Sequence, residues 1–342
     1  MISTVVRPLF SRFPALERTV PKVDLCPRSS PVRRLDSLAR HLGTSDLWIK
    51  NDGLLGTTYG GNKVRKLEFV LADAQQRNAS HIITFGATGS HHCLATTIYA
   101  RALDFAVTVV LMEQPLTEEV AANLAALDRH GARVVRASNL PATVLKSAIA
   151  IGRTVRPGVP PRFPYIIPVG ASTARGCLGY VNAALELREQ IDGGELPEPG
   201  SIVLPMASNG TAAGLLIGLR LAKLDTRIVG VQVSDMPGTG PRGVARLAGR
   251  TLKFLRRNGA DVPSMRFRAE DLTAIADPEA VRYGHPTARC REAKRIMSET
   301  EDVDLDLTYT AKTVAQLMER DDLPKPVLYW HTLNAHPRAE VT

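Results

Sequence analysis

Three short stretches of this chain carry residue types and spacings that could do chemistry. The first is Gly60-Gly61-Asn62-Lys63-Val64-Arg65-Lys66-Leu67-Glu68. Two glycines permit a tight turn. Asn62 is a good helix N-cap, and Val64, Leu67 and Leu71 follow at helical spacing. Lys63 then falls in the first turn, where the positive end of the helix dipole disfavours an ammonium. Lys66, three residues on, adds like charge in the same direction. An amine of lowered pKa is what Schiff-base chemistry requires. The plainer reading of the same residues is a solvated, basic helix end.

The second stretch, Ser208-Asn209-Gly210-Thr211-Ala212-Ala213-Gly214, lies between the apolar run SIVLPM and the helical run LLIGLRLA. A Gly/Ser/Thr turn at a helix N-terminus aims backbone N–H groups and hydroxyls at one anion. It is neither a Walker A motif nor GxGxxG, so it suits a single phosphate better than a nucleotide. A structural turn of small residues is the alternative. The third stretch, Gly86-Ala87-Thr88-Gly89-Ser90-His91-His92, is a further small-residue nest that suits a substrate carboxylate. Adjacent side chains on a helix point about 100° apart, so His91 and His92 do not form a bidentate metal site, and no metal is expected. Ser90 is either a hydroxyl in the site or an ordinary N-cap.

The elements that must position these stretches alternate. Strands are expected at 81–85, 106–112, 132–137, 165–170, 201–206 and 227–233. Helices are expected at 92–103, 117–130, 142–152, 178–191 and 211–223. Repeated β–α–β order means parallel sheets with helices on both faces. The Pro-rich stretch 157–164 and the segment 193–200 read as surface connections. A length of 342 residues suits two α/β domains. At 44% hydrophobic and 23% charged residues, the chain can bury a core and is not globally disordered. Aromatics at 5% argue against a base-stacking surface, and the net charge of +9 is scattered without a basic block. Neither nucleic acid nor membrane is expected as a partner. Cys26, Cys93, Cys177 and Cys290 lie far apart with no CxxC, which suits reduced thiols in a cytoplasmic enzyme. Near the N-terminus, Arg7, Arg12 and Arg18 face one acid, Glu17, faintly like a transit peptide; an ordinary leading segment is the favoured reading.

A lysine after Gly-Gly-Asn and a distal phosphate turn together imply pyridoxal 5′-phosphate. The chain resembles the D-cysteine desulfhydrase and 1-aminocyclopropane-1-carboxylate deaminase family, within the tryptophan-synthase-β-like (fold type II) pyridoxal phosphate enzymes. The resemblance runs from Pro31-Val32-Arg33-Arg34-Leu35 to His331-Thr332. It is carried by GGNKVRKLEF followed by LADA, by IIPVGASTARGCLGYVNAALEL at 166–187, by Tyr283-Gly284-His285-Pro286-Thr287 and by Tyr309-Thr310-Ala311-Lys312.

The resemblance implies an α/β fold with two mostly parallel twisted sheets flanked by helices. A discontinuous cofactor domain would comprise 1–62 and 171–342, and a smaller substrate-loop domain 63–170. Lys63 would hold the cofactor aldehyde beside Asn62, and Ser208, Asn209, Gly210 and Thr211 its phosphate. Ser90, His91 and His92 would lie at the substrate, with His91 replacing an Asn that lies against the cofactor ring. Tyr283 and Tyr309 match two tyrosines flanking the reacting carbon, though buried structural tyrosines are the bland alternative. Thr310 and Thr332 would lie near the pyridine nitrogen.

At position 310 the deaminases carry Glu, whose carboxylate keeps that nitrogen protonated and the ring a deep electron sink. A threonine hydroxyl leaves the sink shallow, which suits α,β-elimination. The expected activity is therefore a lyase or deaminase reaction on a small amino acid, D-cysteine or another β-substituted amino acid, giving a 2-oxo acid and ammonia. Cyclopropane ring opening, β-replacement, and a non-catalytic binding protein on the same fold are the alternatives. His91, Ala311, Leu333-Asn334 (for Gly-Gly) and Asn51-Asp52-Gly53 depart from the family pattern. The family tends to homodimers.

Overall fold

A computed structural model describes residues 7–155, 163–278 and 281–336. Ten strands form two sheets among the described residues. They are β1 (Val32–Arg34), β2 (Leu47–Asn51), β3 (His81–Ala87), β4 (Ala106–Met112), β5 (Arg133–Ala137), β6 (Tyr165–Ile167), β7 (Ser201–Met206), β8 (Arg227–Gln232), β9 (Thr273–Ile275) and β10 (Val327–His331). The larger sheet has the order β1-β2-β10-β7-β8-β9 and the smaller β5-β4-β3-β6. All pairings are parallel except β1 with β2. The β-branched runs of β4 and β7 are buried along almost their whole length, as central parallel strands covered on both faces must be.

The helices, in chain order, are α1 (Pro8–Arg12), α2 (Ala15–Thr19), α3 (Asp36–His41), α4 (Asn62–Gln76), α5 (His91–Ala102), α6 (Glu118–Arg129), α7 (Leu140–Thr154), α8 (Leu178–Asp192), α9 (Gly210–Ala222), α10 (Pro241–Arg257), α11 (Ala288–Glu301) and α12 (Thr310–Met318). The six strands and five helices expected from the pattern are present, with ends shifted by a residue or two. The exception is the strand at 165–170, which stops at Ile167 because Pro168 and the left-handed Gly170 turn the chain. From Arg7 onward the leading segment is packed: Leu9, Phe10 and Leu16 enter the core, and Arg7 pairs with Glu68 of α4. Most of the Pro-rich stretch, residues 157–162, lies outside the described residues.

Not all the scattered charge is on the surface. Lys50 donates to Glu186 at 2.7 Å, and Arg65 reaches Glu186 at 2.8 Å and Asp52 at 2.9 Å, all buried. Asp52 also accepts from the Tyr180 hydroxyl at 2.5 Å and the Trp330 indole at 2.8 Å. This network fastens β2, α4, α8 and β10 together. It also gives Asp52 a structural task, as the common acceptor for Arg65, Tyr180 and Trp330.

Candidate active site

The larger sheet ends its strands at a cleft, and the turn into α4 passes there. Gly61 has φ +89°, and a Cβ on it would lie 2.7 Å from the carbonyl oxygen of Thr332, just beyond β10. The Asn62 N–H donates to that same carbonyl at 3.2 Å. Glycine is what lets the chain pass this close with positive φ. The cap of α4 is accordingly Gly61, not Asn62 as the sequence suggested. The Asn62 side chain is freed for other work. Its Nδ2 donates to Thr211 Oγ1 at 3.1 Å, and its Oδ1 accepts from Lys63 Nζ at 2.6 Å.

Lys63 projects into a cavity whose walls include Asn62, Ser208–Thr211, His91, Asp306, Tyr309 and Thr332. Its amine pKa is lowered to about 7, first by burial and then by the Lys66 ammonium, while Asp306 opposes the shift. The like-charge effect was legible in the sequence; burial, the larger cause, was not. Across the cavity, the turn after β7 sets Asn209 in the left-handed region (φ 69°) and starts α9 at Gly210. The Asn209 side chain points away, bonding Gly238 O and Gly240 N, so only its backbone is offered to the cavity. A Cβ on Gly210 would come 2.9 Å from Lys66 Nζ and 2.5 Å from Ser172 Oγ. The buried Lys66 amine, its pKa lowered to about 8 by burial, therefore lies directly beneath the first turn of α9. Sequence reasoning gave Lys66 only a background charge; its i+3 spacing from Lys63 was the available signal.

These residues fit a phosphorylated aldehyde. A lysine amine that is partly neutral near pH 7 stands at one wall. At the other stand the first-turn N–H groups of α9 and the Thr211 hydroxyl, with the buried Lys66 amine behind Gly210.

The remaining expected residues divide. His91 lines the cavity, but both ring nitrogens are engaged: Nδ1 with Tyr59 Oη at 2.7 Å and Nε2 with Glu119 Oε1 at 3.1 Å. It presents a fixed ring rather than a free acid or base. Tyr309 lines the cavity with its ring 5.9 Å from Lys63 Nζ. Tyr283 reaches the cavity through Tyr309, their hydroxyls 2.5 Å apart. Burial raises both phenol pKa values, so both stay protonated near neutrality. Ser90 caps α5, its hydroxyl accepting from the Cys93 N–H at 3.3 Å, and it is not part of the cavity wall. His92 was expected at the substrate. Instead it is turned into the core, its Nε2 on Thr84 at 2.9 Å, where burial depresses its pKa. One residue after His91 on a helix, it necessarily faces another way.

Thr310 requires a larger correction. It is fully buried and absent from the cavity wall. Its hydroxyl donates to Asp306 Oδ2 at 2.7 Å and accepts from the Asp306 N–H at 2.8 Å. The group facing the cavity is the Asp306 carboxylate, which also accepts the N–H groups of Thr308, Tyr309 and Thr310 at the start of α12. Burial and the nearby Glu119 charge raise its pKa, partly offset by His91 and by Thr310. The sequence reading placed a lone hydroxyl here; the fold places Asp306 on the wall, with the Thr310 hydroxyl one hydrogen bond behind it.

Comparison with known proteins gives consistent matches. The profile described as "Pyridoxal-phosphate dependent enzyme" matches residues 23–332. A Pyrococcus furiosus protein provisionally named a 1-aminocyclopropane-1-carboxylate deaminase is 33% identical over 333 residues, covering 96% of this chain and 94% of the relative. D-cysteine desulfhydrase of Klebsiella pneumoniae is 33% identical over 325 residues, covering 91% and 93%. A crystal structure of an ACC deaminase homologue superposes with a TM-score of 0.78 at 28% identity, over 97% of this chain and 96% of that one.

Proposed function

The chain belongs to the pyridoxal-phosphate dependent enzyme family, and from that premise we propose that it is a lyase eliminating a β-substituent from a small amino acid. D-cysteine is the first substrate to test, and the products are a 2-oxo acid, ammonia and sulfide. One observation carries the reading. A lysine amine whose pKa is brought to about 7 faces, across one cavity, a helix N-terminus backed by a buried ammonium.

In this reading Lys63 holds the cofactor aldehyde, and Gly210, Thr211, Ser208 and the Lys66 ammonium hold its phosphate. When bound, pyridoxal phosphate supplies an electron sink for the carbon bearing the substrate amine. Lys63, steadied by Asn62 Oδ1, takes the Cα proton on Nζ. Tyr309, paired with Tyr283, donates a hydrogen bond toward the departing group. Ser90 sits behind the loop that orients the substrate carboxylate, and the fixed His91 ring limits where the substrate can lie. We divide the chain into a cofactor domain (1–62 and 171–342) and a substrate-loop domain (63–170). The separation of the smaller sheet, whose strands all fall between residues 81 and 167, supports this. Among the described residues no helix is long and apolar enough to cross a membrane. A cytoplasmic homodimer completes the proposal.

A specific observation favours a second reading. Asp306, on the wall where Thr310 was expected, puts a carboxyl group at this end of the cavity, which weakens the contrast with the Glu-bearing deaminases and supports cyclopropane ring opening. A substrate panel decides between them. Purified holoenzyme is assayed for 2-oxo acid, ammonia and sulfide with D-cysteine, L-cysteine and 1-aminocyclopropane-1-carboxylate. Sulfide from either cysteine supports elimination; turnover of the cyclopropane alone overturns it. Loss of the visible absorbance band in Lys63→Ala checks the cofactor anchor separately.

A further inference from the structure

A second chamber of about 260 Å³ adjoins the cofactor cavity, and His91 and Leu333 form walls common to both. Leu94 of α5 and Ala122 and Ala126 of α6 give it an apolar side, and Arg129 stands exposed at its outer end. Its acids are engaged, Glu119 with His91 and Asp304 with Lys294, so the outer end presents a guanidinium. The His91 ring that borders both spaces is held at Nδ1 by Tyr59 and at Nε2 by Glu119.

Three departures from the family pattern, His91, Leu333 and Asn334, line this one chamber. The thiol of cysteine is a single heavy atom and has no use for it. A water's share of liquid volume is about 30 Å³, so the chamber accepts a group of several heavy atoms.

We propose that the chamber receives the substrate's β-substituent, and that the preferred substrates are β-thioether amino acids with an extended, largely apolar substituent ending in an anion at Arg129. The inference rests on the elimination reading above. The Cβ–S bond breaks, its electron pair leaves on sulfur, and the sulfur takes a proton. With one water consumed, the products are a thiol, a 2-oxo acid and ammonia.

The test compares cysteine, S-propylcysteine and S-(3-carboxypropyl)cysteine, both enantiomers of each, on holoenzyme. The expected kcat/KM rises at least ten-fold from cysteine to the carboxypropyl thioether. Ala122→Phe cuts that ratio ten-fold or more by filling the chamber. Arg129→Gln lowers kcat/KM about five-fold for the carboxylate-ended thioether and leaves the propyl thioether within two-fold. Sulfide release from cysteine with no preference for thioethers, and a ratio unmoved by Ala122→Phe, overturns the chamber while sparing the elimination reading. If none of the three is turned over, the elimination reading fails. Calorimetry then still decides the chamber: tighter binding of the carboxypropyl thioether than of cysteine, weakened ten-fold in Ala122→Phe, supports it, and equal affinities overturn it.

Discussion

Two lysines one helical turn apart on α4 divide the work at the residue scale. With its pKa near 7, Lys63 is protonated below that value and neutral above it. The rate at which pyridoxal phosphate becomes covalently attached to apoprotein should therefore rise with pH through about 7 and level off above. A stopped-flow pH series measures this. Lys66→Gln removes the neighbouring positive charge, so the midpoint should move to higher pH. The same change removes a cation from beneath Gly210, and the dissociation constant for the cofactor should rise about ten-fold, the size expected for one charge-assisted contact. Much of this was legible. Gly-Gly-Asn-Lys and the Ser/Gly/Thr turn stood out in the sequence, and the fold brings both to the wall of one cavity. Asp306 was not legible, because nothing local marks a carboxylate that reaches the cavity only through the fold of the loop before α12.

Two close passages, each fixed by one glycine, position the site at the element scale. Gly61→Ala meets both a positive φ and the Thr332 carbonyl, a strain of about 1–3 kcal/mol. It should lower the denaturation midpoint and also misplace Lys63, weakening cofactor retention in dialysis. Gly210→Ala lies at regular helical φ, so its Cβ acts by crowding Lys66 and Ser172. Cofactor affinity should fall with little change in the apoprotein's melting temperature, read by calorimetry in parallel. Helices and strands between residues 81 and 232 were legible because their apolar periodicities are long. The short strands β1 and β9, and β10 with its polar end, offered too few residues for a period to register. His92 was misassigned for a related reason. Its residue type attracted attention, while the helical rotation that turns it inward is a property of the element.

Charge buried where the sequence suggested solvent organises the whole molecule. Glu186 is held well below the usual carboxylate range by Arg65 and Lys50, although burial opposes them. A depressed carboxylate contributes stability that is present above its unfolded value and is lost as pH falls. Glu186→Ala leaves Lys50 without a carboxylate partner and Arg65 with Asp52 alone, and should cost about 3–5 kcal/mol, measured by urea denaturation at neutral pH. The parallel sheets were readable from β–α–β alternation, and their division into two came with the family resemblance. This network was not readable, since Glu186 lies more than 100 residues from Lys50, Asp52 and Arg65 and each alone resembles surface charge. The same network has an optical consequence. Trp330 is one of two tryptophans, completely enclosed, with its indole N–H committed to Asp52 and its strand leading directly to Thr332. Its emission therefore reports on the core behind the cleft: quenching should accompany cofactor loading, and a red-shifted spectrum should mark the moment water reaches the Asp52 carboxylate.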